Sequence, residues 1–149
     1  NMLAQGKWGD LVTGQRVLDL FAGTGALGLE ALSRGATQVT LVDDGAAARA
    51  LIRTNIEKMR AMGTTRLYRR DATDLGPNRG PGFGLVFLDP PYGKALGEKA
   101  LASARDNAWL APQATIVWEE NAPQGAPDGF ETLDQRRYGE TWITILRAA

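Results

Sequence analysis

A chain of 149 residues, 44% of them hydrophobic, is long enough for one compact domain that removes about two-thirds of its unfolded surface from water, and it holds no apolar run of the roughly 20 residues that cross a bilayer. It contains neither cysteine nor histidine, which excludes a disulfide framework, thiolate or imidazole metal ligands and hydrolase triads built on an imidazole base. Its 17 basic residues balance 17 acidic ones, which taken alone argues against a nucleic-acid partner, because phosphate neutralisation normally calls for a basic excess.

The segments Arg16 to Phe21 and Gln38 to Val42 are short, apolar and β-branched, and so are expected to be buried strands. Between them, Ala26 to Arg34 places Leu27, Ala31 and Leu32 on one helical face and ends before Gly35, completing a βαβ unit. A second helix is expected from about Ala46 to Met62, stopped by Gly63, and a third strand from Thr65 to Arg69. Glycines and prolines make Leu75 to Gly84 a loop. The most apolar strand follows, Leu85 to Leu88, halted by Asp89-Pro90-Pro91. A helix from about Ala95 to Asn107 leads into a strand at Thr115 to Glu119. Two closing strands, Phe130 to Tyr138 and Thr141 to Arg147, are separated by Gly139-Glu140 and read as a hairpin. Strands alternating with helices predict an α/β fold with a mostly parallel, doubly wound sheet and an antiparallel edge hairpin.

Two stretches carry chemistry. In Asp19-Leu-Phe21-Ala-Gly23-Thr-Gly25-Ala-Leu-Gly28 the glycines fit G-x-G-x-x-G between a strand and a helix, where the backbone can approach a nucleotide-like ligand. Asp43, twenty residues beyond Gly23 at a strand end, is placed to accept both ribose hydroxyls, with Asp44 as the helix cap. The same geometry serves NAD. Asp19 disfavours a pyrophosphate and favours a cationic sulfonium ligand, and Asp71-Ala72 offers a carboxylate and an N–H to an adenine ring. Blander roles stay open, Asp19 satisfying loop amides and Asp71 capping the turn to Thr73.

The second stretch is Asp89-Pro90-Pro91-Tyr92. Consecutive prolines fix φ and remove two N–H donors, leaving a rigid loop rich in acceptors at the sheet edge where ligands bind. Asp89 and the Pro90 carbonyl can accept both hydrogens of an exocyclic amine and turn its lone pair toward a methyl donor, while Tyr92 stacks on the base. The alternative is a proline-terminated strand with Tyr92 in the core.

The loop at 19–36, the stretch FLDPPYG at 87–93 and WLAPQATIVWEE at 109–120 together resemble the RsmD family of 16S ribosomal RNA guanine-N2 methyltransferases. The resemblance implies a seven-stranded Rossmann-like class I methyltransferase, 1–149 as a single domain, S-adenosyl-L-methionine as cofactor and no metal. It implies an enzyme acting on 16S rRNA or a small-subunit assembly particle, while the lack of a signal peptide reads as cytoplasmic and a monomer is expected. Onto this sequence it carries Asp89, Pro90, Pro91 and Tyr92 as catalytic residues. Asp19, Phe21, Gly23, Gly25, Asp43, Asp71, Ala72 and Asp89 are carried over as cofactor-binding. Position 43 departs from the pattern, being Asp where Glu is frequent. Asn1 to Ala4 resembles the end of the family's first helix, so the basic segment that precedes it in the family is expected to be missing. Arg69, Arg70, Arg79, Lys94, Arg136 and Arg137 are then candidate phosphate contacts or solvated charges. Trp109 and Trp118 are expected in the core, and Glu119-Glu120 at the end of the strand either touch substrate or, as the favoured reading, form a solvated edge. An amino-methyltransferase acting on DNA or a small molecule, an NAD-dependent oxidoreductase and a non-catalytic RNA-binding module are the competing readings.

Overall fold

The computed structural model describes residues 10–149; the resemblance of Asn1 to Ala4 to a helix end lies outside them. Seven strands, β1 (Arg16–Leu20), β2 (Gln38–Val42), β3 (Thr65–Tyr68), β4 (Phe83–Leu88), β5 (Leu110–Glu120), β6 (Phe130–Tyr138) and β7 (Thr141–Ala148), form a single sheet in the order β3-β2-β1-β4-β5-β7-β6. The first five are parallel, and β7 enters antiparallel between β5 and β6. Helices α1 (Ala26–Ser33), α2 (Ala46–Lys58) and α3 (Leu96–Asp106) supply the crossovers.

Strand alternation sends two sets of side chains to two cores. Val17, Val39, Leu41, Leu85 and Phe87 pack with Leu29 of α1 and with Ile52 and Ile56 of α2. Leu18, Leu20, Val86, Leu88, Ile116 and Trp118 pack with Ala100, Leu101 and Ala104 of α3 on the opposite face. Arg16 of β1, Gln38 and Thr40 of β2 and Arg66 of β3 are polar exceptions to the apolar pattern of this second face. No helix joins β3 to β4, and among the described residues the loop between them covers the face above β1, β2 and β3.

Three boundaries differ from the sequence expectation by two residues or more. The second helix ends at Lys58 and not near Met62, because Arg60 takes a left-handed φ of 53°. Its N–H then bonds to Glu57 O, while Ala61 N–H reaches Ile56 O and the Ala61 methyl is buried. That is the reciprocal pattern glycine usually provides, here built on an arginine. β4 begins at Phe83, and β5 begins at Leu110, so the Pro-containing stretch before Thr115 is already strand. Trp109 explains the latter: it is buried, stacks on Phe83 with ring centroids 5.9 Å apart, and donates its indole N–H to Gly76 O.

Trp118 is fully buried beneath α3, whose first turn approaches so closely that a Cβ on Gly97 would lie 2.5 Å from its ring. Gly97→Ala therefore overpacks this layer and is expected to cost about 1–3 kcal/mol. Urea unfolding with an unchanged midpoint would contradict the close approach.

Candidate functional site

The carboxyl ends of β1, β2 and β4 meet where the chain order reverses across the sheet, the position at which open α/β sheets bind ligands. Here Asp19, Asp43 and Asp89 converge. A cavity of about 440 Å³ is lined by Phe21, Asp43 and Asp44 on one side and the run from Asp89 to Tyr92 on the other. A smaller recess of about 30 Å³ extends it between Phe21, Asp43, Asp71 and Ala72. The structure thus gathers the glycine loop, the β2 terminus, the Asp71-Ala72 turn and the proline tetrad around one opening.

Each carboxylate is held differently. Asp19 is 1% exposed and accepts from Gly28 N–H at 3.0 Å. Burial pushes its carboxyl up to about 8, opposed by the Gly28 amide and reinforced by Asp89 and Asp43. The third glycine of the motif is needed for packing, since a Cβ at Gly28 would sit 2.8 Å from Val39 Cγ1. Asp43 accepts from Gly23 N–H at 3.0 Å through Oδ2 and from Gly45 N–H at 2.8 Å through Oδ1. The expected role of Asp44 as a helix cap is not what forms: Gly45 is the N-cap of α2, without a side-chain bond, and its own N–H is held by Asp43. Asp71 accepts from both the amide and the hydroxyl of Thr73, which keeps its carboxyl below the usual carboxylate range.

The tetrad leaves β4 as a short rigid arm. Pro90 is buried and Tyr92 is 43% exposed, so its ring faces the opening and not the core. The Tyr92 hydroxyl donates to Glu119 Oε1 at 3.3 Å. Burial, with Glu119 and Glu120 nearby, pushes Asp89 up to about 6. Sequence reasoning placed Glu119-Glu120 on a solvated edge; Glu120 is instead 3% exposed, and its carboxyl is raised by burial. The available signal was topological: β5 is the parallel neighbour of β4, so its carboxyl end opens beside the tetrad. Phe21 carries a further feature invisible in the sequence, a left-handed φ of 58° that a bulky side chain rarely adopts. The residue lines both the cavity and its recess.

Of the expected phosphate contacts, Arg136 is paired with Asp134 at 3.0 Å, and Arg137 donates to Gly139 O. Arg69 and Lys94 are exposed, Arg79 lines a second cavity beneath the loop between β3 and β4, and Arg70 lines both that cavity and the recess beside Asp71 and Ala72.

The strand order and the loop between β1 and α1 define a class I methyltransferase fold, the fold of enzymes that use S-adenosylmethionine. The chain belongs to the RsmD family, whose model, described as "Conserved hypothetical protein 95", matches residues 1–147. It is 38% identical over 118 residues to ribosomal RNA small subunit methyltransferase D of Escherichia coli strain K12, covering 78% of this chain. It is 32% identical over 127 residues to the protein of the same name from Haemophilus influenzae, covering 82% of this chain and 66% of that one. The chain spans 59% of the length of the Escherichia coli relative. Among solved structures it superposes on a Haemophilus influenzae protein described as a methylase with a TM-score of 0.82 at 29% identity, covering 92% of this chain and 88% of the other. It also matches TrmN from Thermus thermophilus with a TM-score of 0.77 at 26% identity, covering 92% of this chain and 45% of that one.

The proton on Asp19 has a thermodynamic consequence. Its carboxyl titrates at about 8 in the fold against 3.8 for the free side chain, so between these values the folded chain holds a proton the unfolded chain has lost. Stability is then greatest at the acidic end of the window, falls as pH rises through it and levels off above. The thermal midpoint of the ligand-free protein is expected to drop from pH 5 to pH 8. Asp19→Asn keeps an acceptor for Gly28 N–H and should flatten that slope; an equal slope in both proteins would remove Asp19 as its source.

Proposed function

We propose that this protein is a single-domain methyltransferase that transfers a methyl group from S-adenosylmethionine to the exocyclic N2 amine of a guanine in small-subunit rRNA. The observation that carries the reading is the pairing, across one cavity, of a carboxylate-lined cofactor cradle with the rigid Asp89-Pro90-Pro91-Tyr92 arm.

The donor set fits this cofactor and not a dinucleotide. A pyrophosphate needs free loop amides, yet Gly23 N–H is given to Asp43 and Gly28 N–H to Asp19. Among the described residues no lysine or arginine lines the larger cavity, whose ionisable side chains are Asp43, Asp44, Asp89 and Tyr92. A ligand carrying an ammonium and a sulfonium relieves the mutual repulsion of these carboxylates. Asp43 retains lone pairs for ribose hydroxyls, Asp19 faces the positive end, Phe21 covers the ligand from the loop, and Asp71 with Ala72 meets the adenine in the recess. Gly23 and Gly25, at φ of 62° and 79°, give the backbone turn that brings it close. S-adenosylmethionine, when bound, supplies the electrophilic methyl.

The acceptor side is equally specific. Asp89 and the Pro90 carbonyl accept the two amine hydrogens and hold the nitrogen with its lone pair toward the donor, while Pro91 stiffens the arm and Tyr92 stacks on the base. Glu119 adds an acceptor at the same edge. Guanine presents N1–H and N2–H donors there, whereas adenine presents an N1 lone pair that a carboxylate repels. This complementarity supports guanine, and the family supports rRNA as its carrier.

Asp89→Ala should abolish methyl transfer to undermethylated small subunits while S-adenosylmethionine still binds. Asp89→Asn keeps an acceptor and should retain part of the rate. In the unmodified protein the rate should rise with pH through about 6 as Asp89 ionises, and the Asn variant should lose that limb. Labelled methyl appearing in DNA but not in small subunits would refute the substrate. Asp43→Ala should weaken cofactor binding by about tenfold or more, as loss of charge-assisted hydrogen bonds implies. Calorimetry showing equal affinity would refute its ribose role.

A further inference from the structure

Beneath the loop between β3 and β4, on the sheet face opposite α1 and α2, lies a second cavity of about 320 Å³. That is the size of a small-molecule site. Its floor is built in register: Arg16 of β1 lies beside Gln38 of β2, and Thr40 of β2 beside Arg66 of β3. Arg70 and Arg79 come in from the loop. Four guanidinium groups therefore line one cavity that, among the described residues, no carboxylate lines. None of them takes part in an ion pair among the described residues.

These side chains are positioned, not merely clustered. Arg16 lies over the Phe83 ring at 4.8 Å, and its Nε is buried without a hydrogen-bond partner among the described residues. Arg70 lies over Tyr68 at 5.0 Å and Trp109 at 5.7 Å, with one amino group anchored on Leu75 O at 2.6 Å. Stacking fixes the planes of these guanidinium groups and leaves edge donors for an anion. A buried donor without an acceptor is costly, as is a cluster of like charges without a counter-charge. Both costs are met by one ligand type, a phosphate group with several acceptor oxygens. Arg66 and Arg79 on the exposed rim open the cavity to a polymer, and half-exposed Tyr68 offers a ring face beside it.

We propose that this arginine-lined cavity is a binding site for a backbone phosphate of the RNA substrate, separate from the methyl-transfer cleft and joined to it through the Arg70-Asp71 step of the chain. It rests on the reading of the protein as an rRNA methyltransferase. It also gives the neutral chain a local basic surface beside a larger cavity whose described charged groups are all carboxylates.

The test uses the full chain with labelled arginine side chains, titrated separately with a single-stranded RNA oligonucleotide and with inorganic phosphate. RNA is expected to shift the Arg16 and Arg70 Nε–H resonances saturably, and phosphate to shift the same signals more weakly. Arg66→Gln and Arg79→Gln, both on the exposed rim, should each weaken RNA binding about five- to tenfold and lower the slope of log affinity against log salt by about one. Their affinity for S-adenosylmethionine should be unchanged. Equal RNA affinity and slope in both variants overturns the proposal, as does phosphate shifting the arginines while RNA leaves them unmoved. A protein that binds RNA through these arginines but fails to bind S-adenosylmethionine would overturn the methyltransferase reading and leave this site standing.

Discussion

One buried carboxylate organises the catalytic end of the sheet. Asp19 sits at the end of β1 with its oxygen on the Gly28 amide, tying the first strand to the helix that follows. The bond draws α1 so close to the sheet that position 28 has no room for a side chain. Asp43 repeats the device one strand over, holding Gly23 and Gly45 with one carboxylate and so joining the glycine loop to the start of α2. Two aspartates thereby use up the amides that would otherwise attract a phosphate, and they turn a motif shared by many nucleotide-binding proteins toward a cationic ligand. Burial penalises the charged forms of Asp19 and Asp89, and perturbed carboxylates gathered at one opening are the mark of a binding site.

Charge is segregated to match. Acceptors crowd the carboxyl edge of the sheet, where burial, with Glu119 and Glu120 nearby, raises the affinity of Asp89 for a proton. Guanidinium groups gather on a neighbouring face above β1, β2 and β3, where the chain has a loop in place of a helix. A net charge of zero hides both, because it is a sum over sites of opposite sign.

Much of this was readable from residue order. Strand β2 and the start of α1 fall where their periodicity places them, and the hairpin turn follows from Gly139-Glu140. The end of α2 was misplaced because Arg60 takes the left-handed conformation usually reserved for glycine, so the visible Gly63 was the wrong stop signal. The early start of β5 was hidden by Pro112, which suggests a loop although the stretch from Leu110 is already strand. Glu120 was read as solvated because strand alternation alone does not say which neighbour covers a strand end.

The sequence by itself determined the chemistry that local order can encode. It established the glycine turn, the proline-stiffened acceptor arm, the absence of any imidazole or thiol route and the alternation that yields a doubly wound sheet. Only the tertiary structure decided which groups meet. It brought Glu119 to the Tyr92 hydroxyl, gave the Gly45 amide to Asp43 in place of Asp44, turned Phe21 into the cleft by a strained backbone, and set Arg16 beside Gln38 and Arg66 beside Thr40. The reason is one of range. Turns and helices are set by residues a few positions apart, whereas a binding site is set by the register between strands that lie twenty or more residues apart in the chain.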